Sequence, residues 1–140
     1  MMFTKILLAA DGSKHSVRAA ENALAIAKSN EKSEIHIVYV IDGSTSKADV
    51  LSHFDAKTIT AQRKAKLRPI EEMLIKEEVD HQFHIIHGEA GPSIVKYANE
   101  NEFDLVVIGS RGLNSLQEMV LGSVSHKVAK RVNCPVMIVK

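Results

Sequence analysis

The sequence predicts an α/β protein built on one open, parallel, five-stranded sheet flanked by four helices, a Rossmann-like arrangement. Two observations carry the prediction. Short runs rich in Val and Ile alternate with longer stretches whose apolar residues recur at helical spacing. Each apolar run then ends in a cluster of Asp, Gly, Ser or Pro, the punctuation expected where a buried strand hands over to a helix.

The first run, Phe3 to Ala10, stops at Asp11-Gly12-Ser13, where Ser13 is placed to cap a helix with Val17, Ala20, Leu24 and Ala27 along one face. A second run, Ile35 to Ile41, ends at Asp42-Gly43-Ser44, and the aperiodic polar stretch to about Asp55 reads as a mobile loop. Helical spacing returns from Lys57 to Val79, with Ile70, Met73 and Leu74 inward. Pro69 inside that stretch predicts a kink or break near Lys66 to Pro69. The third run, Gln82 to His87, is followed by Gly88-Glu89-Ala90-Gly91-Pro92, with Pro92 read as the first helical residue ahead of Ile94, Val95 and Ala98. A fourth run, Asp104 to Ile108, enters a glycine-bearing loop, and Val124, Val128 and Val132 stripe the helix after it. The fifth run, Val136 to Val139, closes the chain, and no internal repeat interrupts the pattern.

The 140 residues fit one domain spanning 1–140, long enough to bury a core. Apolar residues at 45% and charged residues at 25% are ordinary for a globular protein. Eighteen basic against seventeen acidic side chains leave a net charge of +1, so no overall field draws the chain to nucleic acid. The apolar start, Ile6 to Ala10, is too short to span a bilayer or to form a signal-peptide core. Cys134 is the one cysteine and has no internal disulfide partner, consistent with a reducing compartment; the cytoplasm is the expectation.

The chemistry is expected in the loop after the fourth strand, which reads Gly109-Ser110-Arg111-Gly112-Leu113-Asn114-Ser115-Leu116-Gln117-Glu118-Met119-Val120-Leu121-Gly122-Ser123-Val124-Ser125. Gly109 and Gly112 let the backbone turn sharply and a ligand come close, and Gly122 marks a second close approach. The last helix starts directly after Gly122, and its first N–H groups and dipole favour an anion, with the hydroxyls of Ser123 and Ser125 as further donors. Neither the P-loop pattern nor a Gly-x-Gly-x-x-Gly after the first strand is present, so a P-loop NTPase or a dinucleotide dehydrogenase is unsupported.

The spacing Gly109-x2-Gly112-x9-Gly122-Ser123 resembles the ATP-binding motif of the universal stress proteins. Val106-Val107-Ile108-Gly109-Ser110-Arg111-Gly112, Asp11-Gly12-Ser13 and Cys134-Pro135-Val136 match that family along essentially the whole chain. The resemblance implies the strand order 3-2-1-4-5, with the ligand crevice at the carboxyl ends of strands one and four, where the order reverses. It places Asp11 by the ribose and phosphates with Ala10 beside the ligand, and Val40 on the adenine through its backbone. It also puts Gly109, Arg111 and Gly112 along the ribose and phosphates, and Gly122, Ser123, Val124 and Ser125 on the phosphate tail. With a triphosphate bound, the Asp11 carboxylate is expected to meet a Mg²⁺ through water rather than directly. No positioned general base, arginine finger or P-loop lysine is visible, so ATP hydrolysis is expected to be slow if it occurs at all.

The remaining candidates read as structural. His81, His84 and His87 fall on a strand, alternate faces and are expected at the surface or the strand edge rather than around a metal. Cys134 lacks a CxxC partner and reads as a small buried side chain. Arg63, Lys64, Lys66 and Arg68, followed by Glu71, Glu72, Glu77 and Glu78, read as a solvated helix face of mixed charge. The apolar Val136 to Val139, at a sheet edge in the family order, predicts a homodimer in which two copies of this strand pair antiparallel. Two rival functions follow: a homodimeric interaction module of the same fold that binds no nucleotide, and an adenylate-forming transferase or ligase. The second lacks both the Ser-Gly-Gly-x-Asp-Ser and the His-x-Gly-His elements it calls for.

Overall fold

The structure is a computed structural model that describes residues 3–41, 65–110 and 122–140. The elements are β1 (Lys5–Ala9), α1 (Lys14–Lys28), β2 (Glu34–Ile41), α2 (Arg68–Lys76), β3 (Asp80–His87), α3 (Ala90–Glu100), β4 (Leu105–Gly109), α4 (Ser123–Arg131) and β5 (Val136–Val139). The strands form one sheet in the order β3-β2-β1-β4-β5. Every neighbouring pair is parallel, as the α/β reading requires.

The continuous apolar runs have a direct cause: the central strands are covered on both faces, so alternation with polar residues is not tolerated. Ile6 and Leu8 of β1, Ile35 and Ile37 of β2, and Leu105 and Val107 of β4 pack on one side against α1 and against Ile70 and Leu74 of α2. The odd and even positions trade faces between neighbouring strands, so Leu7, Ala9, Val38, Val106 and Ile108 meet Ile94 and Ala98 of α3 and Val128 of α4 on the other. Ala19, Ala20, Ala23 and Ala27 are the buried stripe of α1, and their small side chains let this helix lie close to the sheet. Each fully buried Leu or Ile here is worth about 1.5–3 kcal/mol relative to exposure.

The break expected near Lys66 to Pro69 is present, and two other boundaries differ from the sequence reading. The long helix expected over Lys57 to Val79 is interrupted at Leu67, and its regular part is Arg68–Lys76 with Pro69 in the first turn. A proline there forfeits no intrahelical bond, so it starts a helix instead of kinking one. The part before residue 65 lies outside the described residues, as does the stretch 42–55 read as a loop. The third helix begins at Ala90, two residues before Pro92, and its first i to i−4 bond, from the Ser93 N–H to the Glu89 carbonyl, comes after the proline. Finally, β3 starts at Asp80 rather than Gln82, its full length paired with β2 from Glu34 to Ile41.

One carboxylate fixes how β4 meets β1. Asp104 Oδ2 accepts from the Thr4 N–H (3.1 Å), the Thr4 hydroxyl (2.9 Å) and the Lys5 N–H (2.9 Å). These bonds, the Lys5 N–H first among them, hold the Asp104 carboxyl below its ordinary range.

Two helices end on a left-handed glutamate. After α2 the Glu78 and Val79 N–H groups bond the Ile75 and Leu74 carbonyls, and Glu78 has φ 56°. This is the Schellman arrangement, where glycine avoids the Cβ penalty. Glu78→Gly is therefore expected to stabilise the protein by about 0.5–1 kcal/mol, the relief of left-handed strain exceeding glycine's entropy cost. Urea unfolding at neutral pH checks it, and an unchanged midpoint counts against the strain.

Candidate functional site

The strand order reverses between β1 and β4, and the two chains leaving their carboxyl ends go to opposite faces, to α1 and to α4. A crevice at that point is the usual ligand position in open α/β sheets. Its floor forms because β1 stops early. The register pairs Ala9 with Val38 and with Ile108, and the Ala10 N–H makes the last bond, to the Val38 carbonyl at 3.0 Å.

The chain then turns away. Asp11 Oδ1 accepts from the Ser13 N–H at 2.9 Å, Gly12 takes φ +87°, and Ser13 caps α1 by accepting from the Ser16 N–H at 3.2 Å. Gly12 is needed for its dihedral angle, and the Lys66 Cβ lies 3.1 Å from where a side chain on it would begin.

Meanwhile β2 continues to Ile41. In a parallel strand the N–H and C=O of one residue point to the same edge, and residues two apart share that edge. Since the Val38 carbonyl is directed at Ala10, the backbone polar groups of Val40 are directed to the same side, beyond the end of β1. They face the crevice, with no β1 residue left to pair them.

The other wall is the start of α4. The Ser110 N–H bonds the Val139 carbonyl at 2.7 Å, and the Ser110 carbonyl accepts from the Gly122 N–H at 2.8 Å, so the two ends of the intervening loop are held together. Ser125 is 2% exposed, and its hydroxyl lies 2.9 Å from the Ser110 carbonyl and 3.0 Å from that of Gly122. Its proton therefore braces the loop ends. The hydroxyl expected to donate to a ligand is already used inside the protein.

Gly122 is the N-cap of α4, and no side chain caps this helix. The first intrahelical bond runs from the His126 N–H to the Gly122 carbonyl. The N–H groups of Ser123, Val124 and Ser125 accordingly have no acceptor within the helix and carry the positive end of its dipole.

Gly109 has a different explanation from the one its motif position suggests. A Cβ on it would lie 2.7 Å from the His15 Cβ, 2.9 Å from the His15 carbonyl carbon and 3.0 Å from its oxygen. Gly109 therefore lets the first turn of α1 rest directly on β4. His15, which the sequence does not single out, is the residue that fills that space.

Of the ten residues predicted to bind, Ala10, Asp11, Val40, Gly109, Gly122, Ser123, Val124 and Ser125 all lie at the carboxyl edge of the sheet. Arg111 and Gly112 lie outside the described residues. Among the described residues no three His, Cys, Asp or Glu side chains are grouped to hold a metal ion. No described helix is long and apolar enough to cross a membrane. Cys134 is half-buried beside the α3 and α4 core, and burial raises its thiol pKa.

The histidines of β3 lie on an edge strand, as expected, and one of them does more. His84 is not a simple edge residue: its ring packs against His36 of β2 and Tyr97 of α3. Linear spacing among His81, His84 and His87 hides this, because the partner lies on another strand.

Residues 2–140 match the universal stress protein family. The chain belongs to that family. A universal stress protein of Bacillus subtilis, YxiE, is 36% identical over 99% of this chain and its own full length. The solved universal stress protein UspA of Lactobacillus plantarum superposes with a TM-score of 0.84 at 25% identity, covering 100% of this chain and 99% of its own. A universal stress protein from Archaeoglobus fulgidus, solved in complex with dAMP, shares the fold at a TM-score of 0.73 and 23% identity, each chain fully covered. Another member, solved in complex with cAMP, does so at 0.77 and 23%, covering 100% of this chain and 99% of its own.

For this universal stress protein, Gly109→Ala should cost about 1–3 kcal/mol, because the colliding atoms include α1 backbone that cannot rotate away. Thermal unfolding reads the loss. Full stability in the variant would mean that α1 can move off β4.

Proposed function

We propose that this protein binds ATP in the crevice between β1 and β4 and serves a regulatory or stress-response role. The observation that carries the proposal is the uncapped start of α4, which presents the three amides of Ser123, Val124 and Ser125 at the carboxyl edge of the sheet. Such amides suit a phosphate, since they are neutral donors at the positive end of a helix dipole. The Val40 backbone groups, left without a strand partner on the crevice side, offer one donor and one acceptor to the edge of an adenine. In this proposal Asp11 and Ala10, at the end of β1, meet the ribose and phosphates together with Gly109 and with Arg111 and Gly112, the last two assigned from the family motif alone. In this reading Ser125 contributes its amide and Ser123 its hydroxyl, because the Ser125 proton is engaged with backbone carbonyls.

Relatives solved with dAMP and cAMP support an adenine nucleotide as the ligand class. The triphosphate form and a Mg²⁺ met by Asp11 through water belong to the proposal. No group among the described residues is placed as a P-loop lysine, so binding, with at most slow hydrolysis, is the proposed activity.

The test is calorimetric titration with MgATP. Gly122→Val should weaken binding at least about tenfold, roughly 1.4 kcal/mol, in a variant that retains its circular dichroism, because a branched Cβ intrudes where the phosphate approaches. Equal affinity in the folded variant argues against the site, and absence of heat with the parent protein favours the non-binding interaction module instead.

One observation bears on self-association. All four residues of β5 are only partly buried although each packs on a core face, and β5 is a sheet edge. An apolar edge of this kind suits antiparallel pairing with a second copy. Ile138→Lys should shift sedimentation from dimer to monomer; a dimer that persists removes β5 as the interface.

A further inference from the structure

The face of the sheet under α3 holds a pair of imidazoles within hydrogen-bonding distance of each other. His36 Nδ1 and His84 Nε2 are 3.0 Å apart, the ring centroids are 5.2 Å apart and the ring planes differ by 8°. That centroid separation is close to the greatest two imidazoles can have at this nitrogen distance. The rings are therefore nearly coplanar and meet edge to edge along the N···N line, rather than lying face to face. One nitrogen must donate and the other accept. His36 Nε2 lies 3.1 Å from Glu34 Oε1 and donates to it, so in the neutral pair His84 Nε2–H donates to His36 Nδ1.

A first added proton is accommodated without moving an atom far. His36 then donates from both nitrogens, to Glu34 and to His84, with its charge beside a carboxylate. A second proton puts two N–H groups and two charges head to head at 3.0 Å.

We propose that Glu34, His36 and His84 form a proton-counting latch, which keeps α3 seated on the β2–β3 margin while the pair holds at most one shared proton and releases it when a second arrives. His36 is 7% exposed, so the second charge is accommodated only by swinging His84 outward from Tyr97. Tyr97 and Phe103 pack on each other and on this pair, so the carboxyl end of α3 loses its footing with that movement.

The surrounding groups do not supply a counter-charge for His84. From β1, Lys5 places its ammonium 4.7 Å from the Phe103 ring centroid and donates to the Asn101 carbonyl. From β3, Asp80 pairs with Glu34 at the strand start, and the residue opposite His36 is the neutral Gln82. From α3 comes Tyr97, kept neutral as burial raises its pKa. Asp104, ahead of β4, is engaged with Thr4 and Lys5. Burial first, then His36, lowers the pKa of His84. A depressed folded value means the unfolded chain binds the proton more readily. The stabilising contribution is thus whole above the ordinary histidine range and is lost as pH falls through that range and below it.

Amide hydrogen exchange, corrected for intrinsic rates, tests this on the intact protein. Protection of the Ala98 and Ile86 amides should fall about tenfold from pH 7 to pH 5, the equivalent of one unit of pKa difference. In His84→Gln, which keeps a hydrogen-bonding amide but cannot take a charge, the fall should be less than about twofold, by the same conversion. A parent protein with flat protection, or a variant that falls as steeply as the parent, overturns the latch. Should the variant not fold, ring ¹⁵N shifts of the parent decide. Two separated steps for His36 and His84 support the shared proton, and two ordinary, independent titrations with undisturbed α3 amides refute it.

Discussion

The early end of β1 is the constraint on which the rest of the structure depends. This strand lies between β2 and β4, is buried on both faces, and makes its last ladder bond at Ala10 while β2 runs on to Ile41. The turn Asp11-Gly12-Ser13 is what stops it, because Gly12 needs a positive φ and Ser13 is already the cap of α1. A notch one strand wide results. Its edge carries the Val40 backbone groups, which no strand pairs among the described residues and which a polar group seated in the notch would satisfy.

The depth of the notch depends on how closely α1 approaches β4. His15, in the first turn of α1, occupies the space that a Gly109 side chain would fill, and the alanine stripe brings the following turns equally near the sheet. On the far side, the bond between Ser110 and Gly122 and the Ser125 hydroxyl tie the start of α4 to the end of β4. Thus each wall is fixed to the same strand end. Both helices are thereby fixed to the sheet through β4.

What could be read from the sequence follows from which forces act locally. The central strands are unbroken apolar runs because both faces are covered, and Ser13 announces the start of α1, so the fold, the strand order of the family and the cap were all legible. The break that Pro69 announces was legible, whereas Pro92 was read as the first helical residue and stands two residues later in the turn, because a proline fits several places in a first turn and only the backbone bonds tell them apart. The His36–His84 pair was not legible: the two residues are 48 positions apart and meet only through the parallel register of β2 and β3. Likewise, Gly109 was read from its motif as making room for a ligand, while its packing partner, His15, lies at the other end of the chain.

That last point changes how the glycine motif should be weighed. A pattern whose members all served a ligand would be lost together in a protein that had given up binding. Here the members answer to different forces. Gly109 is required by the packing of α1 on β4, whatever the crevice holds. Gly122, at φ −63° and ψ 156°, sits in a conformation that most residues can adopt, and it caps α4 without a side-chain bond. Ser, Thr, Asp or Asn at that position would satisfy one of the free amides and stabilise the helix. A glycine there forgoes that gain and leaves the amides open. Gly122, not Gly109, is therefore the glycine whose presence the fold alone does not explain, and the case for an anion at the start of α4 rests on it.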